Sequence, residues 1–204
     1  LGYASLVITV RNQFLWDARS LVVAGTHGKT TTAALVAWLL THAGHDPSLL
    51  MGGVARNFGA SHRLGRGREF VNEGDEYDSA FFDKTAKFLK YLPDVAVVGN
   101  LEFDHADIYN DLEAIRIEFR RLVRLIPRQG LLIVGADSDE AFVLRDEAHC
   151  PVESFGLSSG ADWKAVSITP VRTGTTFWIE RDGEPFVEIA SPLLGDYNVR
   201  NVLA

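Results

Sequence analysis

The stretch Val22-Val23-Ala24-Gly25-Thr26-His27-Gly28-Lys29-Thr30-Thr31-Thr32 constrains the fold more than any other part of the chain. An apolar run passes into a short glycine-containing loop that closes on Lys-Thr-Thr. An Ala/Leu/Val-rich helix is then predicted from about Thr31 to His42. A phosphate-binding loop needs this layout: the glycines let backbone N–H groups turn inward on a polyphosphate, and the helix presents its positive N-terminus. On this reading Lys29 sits on the β/γ-phosphates and Thr30 places its hydroxyl on Mg²⁺. The loop has the short Gly-x-x-Gly-Lys-Thr form, because Val23 stands where the longer pattern has its first glycine. A plain strand-to-helix turn with an incidental Lys is the alternative, and the combined strand, loop and helix context favours the phosphate loop.

Hydrophobic patterning along the chain extends this unit into an α/β domain. A weakly helical lead-in around Gln13-Phe14-Leu15-Trp16 precedes the loop, Gly44 is placed to end the helix after it, and Ser48-Leu49-Leu50-Met51 is a short strand. The glycine-rich stretch from Gly52 to Arg68 reads as an exposed loop. Its Arg56, Arg63, Arg66 and Arg68 are read mainly as a solvated surface that could also meet an anionic substrate. Further strands are predicted at Glu69–Asn72, Asp94–Asn100 and Leu131–Val134, with a helix from about Asp111 to Ile126 that carries Ile115, Phe119, Leu122 and Ile126 on one face. Strands alternating with helices imply right-handed crossovers and a mostly parallel sheet with helices on both faces. From about 151 to 192 the character changes to short strands at Ala165–Thr169, Thr175–Glu180 and Phe186–Ile189. An Asp182-Gly183 hairpin signal separates the last two, which predicts a small antiparallel β appendage.

Composition excludes several classes of function. A net charge of −7 over 204 residues argues against nucleic acid as the main partner. The single Cys150 precludes an intramolecular disulfide and suits a reducing compartment. No apolar run reaches the roughly 18 residues of a membrane span, and the first ten residues lack signal-peptide features, so a cytoplasmic location is expected. The start at Leu1 and the helical pattern of the last residues, Asn198–Ala204, suggest a piece of a longer protein. Nothing in the sequence sets an oligomeric state.

Ligands of open α/β sheets gather at the carboxyl ends of the strands, which selects two further stretches. Glu73-Gly74-Asp75-Glu76-Tyr77-Asp78 carries four carboxylates in six residues. Such a cluster repels itself unless cations offset it, and Mg²⁺ held alongside substrate phosphates is favoured over a merely solvated loop. In Asn100-Leu101-Glu102-Phe103-Asp104-His105-Ala106-Asp107, His105 is a candidate metal ligand or proton carrier.

These stretches, with the run Glu76-Tyr77-Asp78-Ser79-Ala80-Phe81-Phe82-Asp83-Lys84, resemble the Mur ligases of bacterial cell-wall synthesis. The resemblance covers the chain beyond Ser20 and implies the central ATP-binding domain of a three-domain protein. Residues 1–20 would be a lead-in from a preceding domain, 21–204 the central domain, and the flanking N- and C-terminal domains would lie outside the chain. It implies an ATP- and Mg²⁺-dependent ligase that phosphorylates the lactoyl carboxylate of UDP-N-acetylmuramate and passes the acyl group to an amine. The Glu-Tyr-Asp-x-Ala-Phe-Phe-Asp-Lys and Asn-Leu-Glu-Phe-Asp-His-Ala-Asp runs favour the murein tripeptide L-Ala-γ-D-Glu-meso-diaminopimelate of peptidoglycan recycling as that amine. The alternatives are the family member that adds L-alanine and, outside the family, a nucleotide-hydrolysing switch module, although no guanine-specifying Asn-Lys-x-Asp motif is present. The resemblance implies catalytic roles for Lys29, Glu73 and His105, with Thr30, Glu73 and His105 as Mg²⁺ ligands. Gly25, Thr26, His27, Gly28, Lys29, Thr30 and Thr31 would surround the phosphates, Asn100 would line the same pocket, and Asn198 and Asn201 would contact adenine. The chain departs from the family pattern at Gly74, at Thr85-Ala86 in place of Arg-Ser, and at Tyr197 in place of His. It has no Lys between Asp104 and Arg128, so the carbamylated lysine of some members is not expected. The chain alone is expected to bind nucleotide weakly and to form no product.

Overall fold

The computed structural model describes residues 4–80, 83–102 and 111–204. In chain order these form α1 (Leu6–Val10), a π-helical turn at Arg11–Leu15, β1 (Arg19–Ala24), α2 (Lys29–His42), β2 (Ser48–Ala55), β3 (Ala60–Arg63) and β4 (Glu69–Glu73). Then follow β5 (Asp78–Ala80), β6 (Asp83–Ala86), β7 (Val95–Val98), α3 (Leu112–Leu125), β8 (Leu131–Gly135) and α4 (Asp139–Phe142). The chain ends with β9 (Val152–Gly156), β10 (Trp163–Val171), β11 (Gly174–Arg181), β12 (Glu184–Ser191) and α5 (Asp196–Leu203).

Ten strands form one sheet in the order β12-β11-β10-β9-β8-β7-β1-β4-β2-β3, and β5 and β6 pair separately as a small antiparallel ribbon. Neighbours from β10 through β2 are parallel, whereas β3 pairs antiparallel with β2 at one edge, and at the other β11 pairs antiparallel with both β10 and β12. The antiparallel strands expected after residue 151 are therefore an extension of the central sheet. Their link is β9, which pairs in parallel with both β8 and β10.

Alternation along the central strands divides the core in two. Val22, Ala24, Ala96, Val98, Leu132 and Val134 face one way, against α1, α3 and α4. Val23, Val71 and Val97 face the other way, against Ala33 and Ala37 of α2, with Leu203 and Ala204 packed alongside. Period-two alternation on a strand and period-3.6 stripes on the covering helices produce this three-layer arrangement. On α3, Ile115, Phe119 and Leu122 are buried, as is Ile126 just beyond it, and Asp111 Oδ1 caps the helix by accepting from Ala114 N at 2.8 Å. Gly44 follows α2 in a Schellman arrangement, with Gly44 N donating to Thr41 O (3.2 Å) and His45 N to Leu40 O (3.0 Å).

The stretch from Gly52 to Arg68 is not the loop its glycines suggest. β2 runs on through Gly52-Gly53 to Ala55 and returns as β3. Gly53 is there for close approach, since a Cβ would come within 2.9 Å of Thr30 Cγ2. Arg63 is paired with Asp46, whose other carboxylate oxygen accepts from Arg66 N at 2.9 Å, so the return segment is anchored from within the fold.

Candidate functional site

The parallel register sets the carboxyl ends of β1, β4, β7 and β8 side by side, with Val23 opposite Glu73, Ala24 opposite Val98 and Val98 opposite Val134. The loop after β1 is held in shape from β7. Thr26 N donates to Asn100 O at 3.0 Å, and His27 N donates to Asn100 Oδ1 at 2.8 Å. Glu102 N donates to Thr26 Oγ1 at 2.9 Å. Gly25 and Gly28 adopt φ of +126° and +84°, which L side chains rarely occupy. A Cβ on Gly25 would press to 2.8 Å of Asn100 O, and one on Gly28 would collide with the Asn201 side chain.

Lys29 and Thr30 open α2 directly behind Gly28. The Lys29 ammonium donates to Gly25 O (2.7 Å), Thr26 O (3.3 Å) and both carboxylate oxygens of Glu76 (3.2 and 3.0 Å). Thr30 Oγ1 donates to Glu73 Oε1 at 2.9 Å, and Gly52 N donates to Glu73 Oε2 at 2.7 Å. The acidic stretch after β4 is thus divided among separate partners. Glu73 turns to Thr30 and Glu76 to Lys29, whereas Asp75 meets Lys87 (2.8 Å) and Asp78 meets Lys84 (2.6 Å). Neighbouring lysines offset much of the self-repulsion that the sequence presents. Among the described residues no group of three or more His, Cys, Asp or Glu side chains is placed to hold a metal ion. Thr30 and Glu73 are hard-oxygen donors in contact, the chemistry Mg²⁺ prefers when it keeps most of its waters. His105 lies outside the described residues.

A cavity of about 400 Å³ opens beside the loop, bordered by His27, Gly28, Lys29, Asn100, Asn201 and, from β8 onward, Asp137. Asn201 reaches it from α5, accepting from Thr32 Oγ1 (3.3 Å) and donating to Asn198 Oδ1 (3.2 Å). Asn198 itself donates to Leu194 O (2.9 Å) and does not line the cavity. Thr30 and Thr31 border a second cavity of about 260 Å³ on the other side of the loop, together with Arg56.

Asp137, Tyr197 and Arg200 complete the larger cavity without having been singled out as site residues from the sequence. Asp137 was findable, because it follows β8 and so obeys the same strand-end rule that selects Glu73 and His105. Its carboxylate accepts from Leu157 N (2.8 Å), Ser158 N (2.8 Å) and Arg200 Nε (2.6 Å), tying α5 to the sheet. Burial opposes its ionisation, but the Leu157 amide, the Arg200 guanidinium and the Ser158 amide together hold its pKa below the usual 3.8. A depressed carboxyl stabilises the fold fully above its unfolded pKa and loses that contribution as pH falls through the folded one. Asp137→Asn, which offers an amide to three donors, is expected to cost ~1–2 kcal/mol at neutral pH. The difference from wild type should close in acid, below the ordinary carboxylate value of 3.8, when thermal unfolding is followed from pH 7 to 2.

A parallel sheet with a glycine loop running from a central strand into a helix N-terminus places this chain among the phosphate-loop α/β domains. More narrowly, the chain belongs to the Mur ligases, since residues 23–204 match the family model for the Mur ligase middle domain. It is 42% identical over 190 residues to the UDP-N-acetylmuramate--L-alanyl-gamma-D-glutamyl-meso-2,6-diaminoheptandioate ligase of Escherichia coli (strain K12), covering 93% of this chain and 41% of that protein. It is 34% identical over 187 residues to the UDP-N-acetylmuramate--L-alanine ligase of Acetivibrio thermocellus, covering 91% of this chain and 38% of that protein. The crystal structure of UDP-N-acetylmuramate:L-alanyl-gamma-D-glutamyl-meso-diaminopimelate ligase from Neisseria meningitides superposes with a TM-score of 0.90 at 40% identity, covering all of this chain and 64% of that one. The chain thus spans about two-fifths of the length of these curated relatives. No helix among the described residues is long and apolar enough to cross a membrane.

Proposed function

We propose that this chain is the ATP-binding middle domain of a ligase that joins the lactoyl carboxylate of UDP-N-acetylmuramate to the amine of L-Ala-γ-D-Glu-meso-diaminopimelate in peptidoglycan recycling. The observation that carries this reading is the convergence of Lys29, Thr30 and Glu73 at the ends of β1 and β4, in a chain 42% identical to a protein named for that reaction. The lower identity to the alanine-adding relative supports the tripeptide over L-alanine. Residues 21–204 are the domain itself, 1–20 lead into it, and the substrate-binding domains lie outside the chain. We place the reaction in the cytoplasm.

The loop amides from Gly25 to Lys29, the N-terminus of α2 and the Lys29 ammonium would bind the nucleotide phosphates. Thr31 is one residue further along α2. Asn201, braced by Asn198, would border the base, and Asn100 holds the loop amides in place. Thr30 and Glu73 would hold one Mg²⁺ and His105 would be a ligand of a second, and the bound ions would supply charge neutralisation to the phosphates. Transfer of the γ-phosphoryl group to the carboxylate gives an acyl phosphate and ADP. The amine then attacks the acyl carbon and loses a proton, and phosphate leaves with the C–O bond electrons. Phosphoryl transfer of this kind asks a protein mainly for positioning and charge stabilisation.

The test is an amide-formation assay with the full-length protein, ATP, Mg²⁺ and UDP-N-acetylmuramate, offering tripeptide or L-alanine in turn. Product from the tripeptide is expected. Product from L-alanine alone would overturn the substrate assignment, and ATP hydrolysis indifferent to both substrates would point to a switch module. The 204-residue chain by itself should bind nucleotide weakly and yield no amide.

A further inference from the structure

The ion pair between Lys29 and Glu76 goes beyond what a phosphate site requires. Glu76 is 3% exposed and the Lys29 side chain 13%. Three ammonium N–H groups meet four oxygens at 2.7–3.3 Å, two from loop carbonyls and two from Glu76. The charge that a phosphate loop offers to its ligand is here already matched by an internal carboxylate. Glu73 adds a second negative charge beside Thr30, and Glu102 a third, exposed one near His27 at 3.8 Å. A metal-free triphosphate would therefore meet backbone amides and a helix N-terminus, but no surplus of positive side-chain charge. Like charges this close repel appreciably even at the effective dielectric of a protein surface.

We infer that Glu76 is a positioning residue for Lys29: its buried carboxylate holds and neutralises the ammonium in the nucleotide-free loop, so that the site discriminates against polyphosphate carrying no metal. This inference rests on the reading of the loop as a nucleotide site. Glu76→Gln keeps the shape and a hydrogen-bonding oxygen but removes the charge that competes with phosphate. Glu76→Asp keeps the charge.

Calorimetric titration of the chain with ATP, in EDTA and again in Mg²⁺, tests the inference. Glu76→Gln is expected to bind metal-free ATP roughly tenfold more tightly than wild type. Its affinity in Mg²⁺ should change several-fold less, and Glu76→Asp should keep a ratio of the two affinities near that of wild type. A purely structural Glu76 would lower the unfolding temperature in both variants and leave that ratio unmoved. A folded Glu76→Gln protein whose metal-free affinity is unchanged or weaker overturns the inference. Should Glu76→Gln fail to fold, the ζ-ammonium resonance of Lys29 in ¹⁵N-labelled wild-type protein decides. It should exchange slowly with water in the free chain and shift less with metal-free ATP than with the same concentration of ATP in Mg²⁺. Rapid exchange in the free chain overturns the inference. Lys29→Ala separates this failure from a failure of the underlying reading: if that variant binds ATP in Mg²⁺ as wild type does, the loop is not the nucleotide site.

Discussion

Replacing Lys29 with Ala is expected to weaken ATP binding in Mg²⁺ by at least ~100-fold, because a charge-assisted contact to phosphate would be lost and the Glu76 carboxylate would be left buried beside the site. Glu76 is 3% exposed and takes Lys29 through both oxygens, so the variant would remove the ammonium from a buried carboxylate that stays beside the site. Both consequences act against a polyphosphate. Calorimetry on Lys29→Ala measures the loss, and His105→Ala beside it separates binding from the proposed acyl-phosphate step. His105→Ala should keep nucleotide affinity within a few-fold of wild type. Near-wild-type binding by Lys29→Ala would remove the phosphate loop from the mechanism.

The largest effect on stability is expected from Phe119→Ala in α3. Phe119 is 1% exposed, its ring centroid lies 5.1 Å from that of Phe88, and Ile115 and Leu122 of the same helix bury beside it against the sheet. Truncation removes the ring from a close-packed interior and leaves a cavity, with an expected cost of about 3–5 kcal/mol. The readout is chemical denaturation, with a lower midpoint and an unchanged slope. Because α3 covers the sheet face opposite α2, nucleotide affinity per folded molecule should be unaffected. A loss of affinity beyond the loss of folded protein would show that the two layers are coupled.

Much of this architecture could be read along the chain because its signals are local. The continuous apolar run at Val95–Val98 is a strand buried on both faces, the three- and four-residue spacing from Ile115 to Leu122 is a helix with one buried stripe, and Asp182-Gly183 is the two-residue turn between β11 and β12. The misreading of Gly52 to Arg68 has a physical cause. Glycine marks both loops and places where backbone must pass close to another group, and only the neighbour, here Thr30 against Gly53, distinguishes them.

The site divides along the same line. The order of residues determined the glycine loop, the helix behind it and the carboxylates at strand ends, since each follows from backbone conformational preference and hydrophobic period within a few consecutive positions. Only the tertiary structure decided which of four neighbouring carboxylates would turn to Lys29 and which to Thr30. It also decided that Asn100 would pin the loop from β7, and that Asp137 and Asn201, 64 positions apart in the numbering, would border one cavity. Those choices depend on strand order and register, which bring the ends of β1, β4, β7 and β8 together. Burial and charge pairing then act between residues that have no proximity in the chain.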